Sequence, residues 1–528
     1  PTPARVALFA WGMLSLFLIF ANWQDILHMD LSDADDAMRM VQVRDLLDGQ
    51  SWWDLMQYRI NPAHGGALMH WSRLVDAPIA AGILILEPLV GPAMAERVVM
   101  TGWPLIMGAM LAVACALGYS NFADRRIAYA APLLLEMMGF VITQFRPLHI
   151  DHHGWQILMA MIILWQAIRP PSLKAGLIAG IAAATLLAIS IEGLPIVTLF
   201  AGLAAVRWAL YARAGDRQWL SGYVTMLAGA GIVLQFATRG PLGLTGLWCD
   251  SLSAPYLAAF TVAAAAVLAI VRLNPTTRAT RFVSLGAAGA VVVAALLIVA
   301  PDCARGPFAS LDPVVVRYWY TGVLEGQPVW AMTLHDAVYL VVPSLLGLAG
   351  SIGAWRAGVD AEERRNWATL IVALVGAVAL SLLVMRSVAT AHTYALPGCA
   401  WLLFVAWRRA RAVGTSLPRV GATALVALLL PLPASIAAAM TLGSVLPGGR
   451  AGETDNASAA SLEKTCLDPV TIAALERIKP ETLMTPIDLG PSLLFWTHHR
   501  VVATGHQRNR DAMADTIRTF IDDPAQSE

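Results

Sequence analysis

Apolar stretches of about 20 residues recur along the chain, and short polar segments separate them. A helix of that length crosses the ~30 Å hydrocarbon core of a bilayer and satisfies its own backbone hydrogen bonds, which lipid cannot do. The pattern therefore predicts a bundle of thirteen membrane-spanning helices. The predicted spans are 5–23, 96–119, 126–145, 154–168, 173–191, 193–212, 219–238, 255–271, 282–300, 334–354, 367–385, 391–407 and 417–440.

One apolar run, 77–91, departs from this pattern. It is only about 15 residues long, and Glu87, Pro88 and Pro92 interrupt or follow it. We therefore predict a re-entrant or interfacial segment here. The basic residues agree, because the inner loops of membrane proteins are enriched in Lys and Arg. With the N-terminus inside, every predicted inner loop carries Arg or Lys, whereas counting 77–91 as a span would place those loops outside.

The composition supports a membrane bundle. Of the 528 residues, 57% are hydrophobic and 14% are charged, and the mean hydropathy is +0.62. Soluble domains contain about 25% charged residues. The formal net charge is zero, so no nucleic-acid partner is expected. The lipid bilayer is the expected surroundings of residues 1–442.

The same topology places four polar segments on the outer side. They are the first loop (24–95), the second loop (146–153), the long loop (301–333) and the tail (443–528). The tail mixes helical and extended patterns, so we predict a small outer α/β domain with a modest core.

Three of the five cysteines, Cys249, Cys303 and Cys466, lie on the predicted outer side, where a disulfide persists. A bond between Cys303 and Cys466 would join the tail to the long loop. A bond between Cys249 and Cys303, or three free thiols, are the alternatives.

The first loop contains three aspartates in four residues, Asp33, Asp35 and Asp36, followed by Arg39 and Arg44. Aspartates favour helix starts, so one interpretation is a capped interfacial helix. The other is a chemical role for the carboxylates.

The second loop concentrates Arg146, His149, Asp151, His152 and His153 between two apolar spans. Five titratable groups at a membrane boundary indicate function more than capping. Asp151 and His153 offer one oxygen and one nitrogen ligand, which suits a divalent cation.

The long loop carries the aromatic run 318–320 and then Glu325, while Arg386 is a lone cation at the outer end of an apolar span. The aromatic residues suit interfacial anchoring. An arginine here either snorkels to headgroups or contacts phosphate. Because all these clusters fall on one predicted membrane face, they suit stabilisation of a departing phosphate.

At this point the sequence resembles the catalytic subunit of oligosaccharyltransferases, particularly bacterial ones, within the GT-C class of polyprenyl-phosphate-dependent glycosyltransferases. That family has thirteen spans and an outer C-terminal domain. Its first acidic motif is matched by Asp35, its second by Asp151 and His153, and the glutamate of its mobile outer loop by Glu325. The arginine that contacts the donor pyrophosphate is matched by Arg386.

The resemblance implies the site residues. A Mg²⁺ or Mn²⁺ ion would be held by four ligands, namely Asp35, Asp151, His153 and Glu325. The catalytic group would comprise Asp35, Glu325 and Asp36. The donor would be bound by three arginines, namely Arg386, Arg146 and Arg44.

The implied activity is transfer of a sugar or oligosaccharide from a polyprenyl-linked donor to a glycan, lipid or protein acceptor. The expected location is a bacterial inner membrane, with the active site on the periplasmic side. A transporter or flippase for lipid-linked glycans is the alternative, although transporter sites usually lie near the membrane midplane.

One feature departs from the family. Protein-modifying members read their acceptor sequon with a Trp-Trp-Asp motif in the C-terminal domain, and the tail contains none. The string Trp52-Trp53-Asp54 lies in the first loop, where we interpret it as aromatic anchoring. This departure argues against transfer to asparagine. A basic cluster around His499 and His506 in the tail is expected to face solvent or the membrane surface.

Overall fold

The structure is a computed structural model that describes residues 1–31, 33–306, 308, 311–445, 471–472 and 474–521. Its helices and strands in the first half of the chain are α1 (Pro3–Ala21), α2 (Trp23–His28), α3 (Ala34–Leu47), β1 (Met56–Gln57), β2 (Ala67–Leu68), α4 (Arg73–Val90), α5 (Pro92–Tyr119), α6 (Arg126–Leu135), α7 (Gly139–Ile142), α8 (His153–Ile168), α9 (Leu173–Ile189), α10 (Leu194–Tyr211) and α11 (Ala214–Thr245).

The remaining elements continue this helical architecture into the tail. They are α12 (Ala254–Leu273), α13 (Arg278–Val299), α14 (Pro313–Tyr318), α15 (Leu334–Ala357), α16 (Ala361–Leu383), α17 (Val388–Arg411), α18 (Ser416–Val426), α19 (Pro431–Val445), β3 (Thr482–Leu483), α20 (Gly490–Trp496), β4 (Arg500–Val501) and α21 (Arg510–Ile521).

Among the described residues, nine helices are long and apolar enough to cross a membrane. Two bent pairs, α6 with α7 and α18 with α19, raise this number to eleven if each pair is one span. The shorter apolar helices α8 and α9 occupy two further predicted spans. The chain is therefore a multi-pass membrane protein, while the number thirteen stays a prediction.

The run 77–91, predicted as a re-entrant segment, belongs to helix α4. The first turn of α4 holds the buried Arg73 and Asp76, whereas Leu84 and Leu89 near its other end are exposed. Arg39 of α3 and Arg73 both pair with Asp76, at 2.9 and 3.2 Å. A buried charge needs a partner. The pair of Arg39 with Asp76 fixes α4 against α3, while the pair of Arg73 with Asp76 lies within α4.

Close helix packing depends on glycine where α15 meets α17. A Cβ atom added at Gly350 would lie 1.9 Å from the carbonyl oxygen of Gly398. Small residues of this kind let membrane helices approach closely. The contact holds the body of α17, whose N-terminal end follows the 3₁₀ turn Met385–Ser387 that carries Arg386.

The described part of the tail shares its hydrophobic cores with the two larger loops. Leu493 and Phe495 belong to a core that includes Val43 and Leu55 of the first loop. Val315 of the long loop packs in another core with residues of α21. The predicted extended segments appear as the short parallel pair β3 and β4. The predicted helical pattern at 462–478 is described only in part, where Ala474–Arg477 form a 3₁₀ turn, and residues 462–470 and 473 lie outside the described residues.

Polar contacts strengthen the attachment of the tail. Arg59 donates hydrogen bonds to the carbonyl groups of Leu494, Thr497 and His499. Arg508 forms two hydrogen bonds with the carboxylate of Asp250, at 2.7 and 2.8 Å. The tail is thereby held against the first loop and against the segment between α11 and α12.

A disulfide joins Cys249 to Cys303, with Cα atoms 5.0 Å apart. The predicted bond between Cys303 and Cys466 is therefore wrong, and so is the alternative of three free thiols. Cys466 lies outside the described residues. The disulfide fixes the beginning of the long loop to the segment that also receives Arg508.

Candidate active site

A cavity of about 630 Å³ lies where the first loop, the long loop, the tail and the junction of α9 with α10 meet. Asp35, Glu325 and Arg386 line one part of it, and tail residues such as His506 line another. The volume is within the range of about 300–1,000 Å³ that small-molecule sites occupy.

The start of α3 directs Asp35 to this cavity. The carboxylate of Asp33 accepts a hydrogen bond from the backbone N–H of Asp35 at 2.9 Å, which caps the helix. Asp35 in the first turn lines the cavity. Burial, and then the negative charges of Asp33 and Glu325, raise the pKa of Asp35 well above its usual value. A nearby cation would reverse that effect.

Asp36 has a different position, behind the cavity wall. It is buried, and its carboxylate lies 2.8 Å from Nδ1 of His149. It also accepts hydrogen bonds from the backbone N–H groups of Ile150 and Asp151, at 2.7 and 3.1 Å. Through these contacts, Asp36 holds the second loop against α3. Asp36 does not line the cavity, so the structure gives no contact that would support its predicted catalytic role.

Asp151 and His153 form the buried back of the site. One Asp151 oxygen, Oδ1, accepts a hydrogen bond from the backbone N–H of His153 at 2.8 Å. The other, Oδ2, is buried without a hydrogen-bond partner among the described residues and lies 3.2 Å from Nε2 of His153. Burial opposes ionisation of Asp151, but the charges of His153 and His149 lower its pKa.

Glu325 reaches this pair from the long loop. Its Oε2 lies 3.6 Å from Nε2 of His153, and its Oε1 lies 3.2 Å from Arg386. The loop is docked beside it, because the N–H of Met385 donates to the carbonyl of Gln327 at 3.2 Å. Despite the effect of burial, a hydrogen bond from His153 and the charge of Arg386 lower the pKa of Glu325 to about 2.

Arg386 is shared between two carboxylates. Besides Glu325 it binds Glu192, whose Oε1 lies 2.8 Å away. The Nε atom of Arg386 is buried and has no hydrogen-bond partner among the described residues. The sequence analysis missed Glu192. Its signal was a lone carboxylate between two apolar spans, which is a costly position.

The other two predicted donor-binding arginines lie elsewhere. Arg44 forms a two-pronged ion pair with Glu96, at 2.7 and 2.9 Å, and donates to the carbonyl of Phe495 in the tail. Arg146 ends the 3₁₀ turn after α7, and it is not among the residues that line the cavity. The structure thus gives Arg44 a contact between α3, α5 and the tail.

A second group of potential metal ligands lies nearby. One ligand atom each of Asp33, Asp36 and His149 falls within 4.8 Å of the others. Two of these carboxylates already accept backbone hydrogen bonds. Burial opposes the charged form of His149, but Asp36 and Asp151 raise its pKa to about 9. Among the described residues, these three bring their ligand atoms within that spacing, so they are the structural alternative to the site predicted at Asp35, Asp151, His153 and Glu325.

By residue type, the predicted group of Asp35, Asp151, His153 and Glu325 suits a divalent cation. It combines three carboxylates with one imidazole, and the partnerless oxygen of Asp151 lies beside that imidazole. Carboxylate oxygen suits Mg²⁺ and Mn²⁺, and imidazole nitrogen suits transition metals.

Comparisons with known proteins identify the architecture. No protein-family model matches the sequence, and no curated protein matches it either. Among solved structures, the chain is similar to the archaeal oligosaccharyltransferase AglB from Archaeoglobus fulgidus in complex with an inhibitory peptide and a dolichol-phosphate. The identity is 16% and the TM-score 0.66, over 95% of this chain and 65% of that one. The chain has the fold of an oligosaccharyltransferase.

Two further structures of the Archaeoglobus fulgidus oligosaccharyltransferase agree. One is tethered to an acceptor peptide with the NVT sequon, with 15% identity, a TM-score of 0.65, and 95% and 64% of the two chains covered. The other is a complex with Zn and sulfate, with 16% identity, a TM-score of 0.59, and coverages of 94% and 62%. The chain therefore spans less than two thirds of these oligosaccharyltransferases. The predicted fold class is confirmed, while the bacterial subfamily stays a prediction.

Proposed function

We propose that the chain is a metal-dependent glycosyltransferase that transfers a sugar or oligosaccharide from a polyprenyl-(pyro)phosphate donor. The acceptor is a glycan, a lipid or a protein, and the site faces the periplasm at a bacterial inner membrane. The observation that carries this proposal is a convergence. Asp35, Glu325 and Arg386 come from three separate segments and line one cavity. Asp151 and His153, from a fourth segment, lie behind Glu325, with Nε2 of His153 3.6 Å from its carboxylate.

The cation would be held by Asp35, Asp151, His153 and Glu325. When bound, it supplies positive charge that stabilises the phosphate as the bond to the sugar breaks. The Archaeoglobus fulgidus oligosaccharyltransferase, solved with Zn and sulfate, supports a cation and an oxyanion in this fold. Mg²⁺ or Mn²⁺ is our expectation for this chain.

Arg386 would bind the phosphate of the donor. Its guanidinium lies between Glu192 and Glu325 and lines the cavity, and its Nε has no hydrogen-bond partner among the described residues. A second cavity of about 390 Å³ shares Glu192 and Arg386 with the first, and its other walls include Leu194, Ile196 and several further apolar side chains. A lipid-linked phosphate suits this arrangement, because its charge meets Arg386 while its chain contacts apolar walls.

Asp35 is the group we assign to accept the proton of a hydroxyl acceptor. It lines the cavity, unlike Asp36, and a general base must reach the proton that it removes. Glu325 on the docked long loop would limit entry of water, since closure over the donor reduces hydrolysis.

The test is donor consumption by the purified full chain in nanodiscs, with a short-chain polyprenyl-phosphate sugar and either Mn²⁺ or EDTA. We expect metal-dependent consumption that Asp35→Ala lowers by about 10²–10³-fold, the size seen when one preorganised charge is removed. Asp511→Ala is the matched control, because the Asp511 side chain is 96% exposed on α21. Donor binding without consumption, indifferent to EDTA and to Asp35→Ala, would favour a transporter or flippase.

A further inference from the structure

Three histidines line the large cavity. They are His70 of the first loop, His152 of the second loop and His506 of the tail. Each has a buried ring nitrogen without a hydrogen-bond partner among the described residues, namely Nδ1 of His70, Nδ1 of His152 and Nε2 of His506. A buried polar atom without a partner is costly. Three imidazoles with unused hydrogen-bonding capacity therefore line one cavity, which favours a ligand with polar groups.

The three rings surround Trp71. Its ring centroid lies 5.0 Å from that of His506, 5.9 Å from that of His70 and 6.5 Å from that of His152. His152 in turn lies 4.4 Å from the ring of His153. The histidine wall therefore begins beside the proposed metal ligands and extends to the tail. A group bound there would be close to a sugar held at Arg386, as transfer requires.

His70 and His506 of this wall are polar but uncharged at neutral pH. Burial lowers the pKa of His70 well below its usual value, and burial together with the charge of Arg39 lowers that of His506 to about 3. The nearby charges of Arg508 and Asp250 are paired with each other. A neutral imidazole offers one donor and one acceptor, which matches a hydroxyl group better than a phosphate or carboxylate.

Aromatic side chains of the long loop complete the same part of the cavity. Trp319 donates a hydrogen bond from Nε1 to Asp488 of the tail, at 3.2 Å. It packs on Gly505, where an added Cβ would lie 3.1 Å from that Nε1 atom. Tyr320 also lines the cavity. Flat apolar rings beside hydroxyl-binding groups suit a sugar, which has apolar C–H faces and hydroxyl edges.

We propose that the histidine wall, His70, His152 and His506, is the acceptor subsite and that the acceptor it binds is a saccharide. This inference rests on the proposed glycosyltransferase function. In the transfer, the bond between the anomeric carbon and the phosphate oxygen breaks, and the phosphate keeps the electron pair. An acceptor hydroxyl oxygen bonds to that carbon, and its proton passes to Asp35.

The test measures acceptor binding separately from transfer. N,N′-diacetylchitobiose, a disaccharide–lipid conjugate and a peptide containing an Asn-X-Thr sequon are titrated onto the full chain in nanodiscs by saturation-transfer NMR. We expect saturable binding of the disaccharide group, weakened at least tenfold by His506→Ala and less by His506→Asn, which keeps a hydrogen-bonding side chain. His335→Ala is the control, since His335 is exposed at the start of α15. Thermal unfolding checks that each variant is folded.

Two outcomes separate this inference from the proposed function. Histidine-dependent saccharide binding without donor consumption by the wild type would support the subsite and contradict the glycosyltransferase. Metal-dependent transfer to the peptide, with saccharide binding absent or unchanged in folded His506→Asn and His70→Asn, would overturn the saccharide subsite and keep the enzyme. Stronger binding of the conjugate than of the free disaccharide would identify a lipid-linked saccharide as the acceptor.

Discussion

The two sides of the proposed metal site differ in how firmly they are held. Asp151 and His153 are buried and follow a loop that Asp36 fixes through two backbone hydrogen bonds. Glu325 comes from the long loop, and its side chain is 38% exposed. One side is thus preformed, and the other depends on docking of a loop through Arg386 and Met385. We therefore propose that assembly of the site is coupled to docking of the long loop.

The largest effect is expected on the preformed side. Asp151→Ala removes the buried carboxylate next to His153, so we expect about 10²–10³-fold slower donor consumption. We also expect loss of Mn²⁺ binding, whether or not the long loop is docked. Isothermal titration with Mn²⁺ and a donor-consumption assay measure the two effects. Unchanged Mn²⁺ affinity would place the cation elsewhere.

A smaller effect is expected on the docked side. Glu325→Gln keeps the shape of the side chain but removes its charge toward His153 and Arg386, so we expect about 10–100-fold slower transfer, with Mn²⁺ binding weakened but present. Limited proteolysis of the long loop provides a second measurement. If the protease cuts the long loop of Glu325→Gln no faster than that of the wild type, and transfer is unaffected, the coupling between docking and site assembly is contradicted.

Glu192 tests what keeps Arg386 in place when the loop is open. Because Glu192 lies 2.8 Å from Arg386 and does not belong to the long loop, Glu192→Gln should raise the KM for donor by about tenfold with a smaller change in kcat. Glu362→Gln is the control, since Glu362 lies in the first turn of α16 with an exposed side chain. A change confined to kcat would argue against positioning of the phosphate-binding arginine.

The smallest effect concerns pH and the fixed second loop. The pKa of His149 is about 9 in the folded chain, above its usual value, although burial opposes this. A raised pKa adds stability below the unfolded value of about 6.5. That contribution is lost as the pH rises through 9. The unfolding temperature should therefore fall between pH 6.5 and 9.5, and the fall should be smaller in Asp36→Asn.

The sequence predicted the parts of this molecule that depend on local pattern. Apolar length is a property of each segment, so the helices lie where expected. The residues Asp35, Asp151, His153 and Glu325 were proposed because short motifs kept the order of the family that the sequence resembles, and their role as metal ligands stays a prediction. Glu192 was missed because its role comes from its contact with Arg386, which is 194 residues away in the sequence.

Tertiary contacts decided what the sequence left open. The sequence allowed either of two disulfides or three free thiols. The fold brings Cys249 to Cys303. The tail histidine His506 was expected at the membrane surface or in solvent. It is buried, at 4% exposure, because the tail packs against the first loop. No local pattern encodes that packing.

The most direct test of the central claim is the position of the cation itself. Crystals or single particles of the full chain with Mn²⁺ should show the ion, by anomalous scattering at the manganese edge or by density, among Asp35, Asp151, His153 and Glu325. The account predicts that Asp151→Ala removes this peak. A peak bound instead by Asp33, Asp36 and His149, and retained in Asp151→Ala, would contradict it.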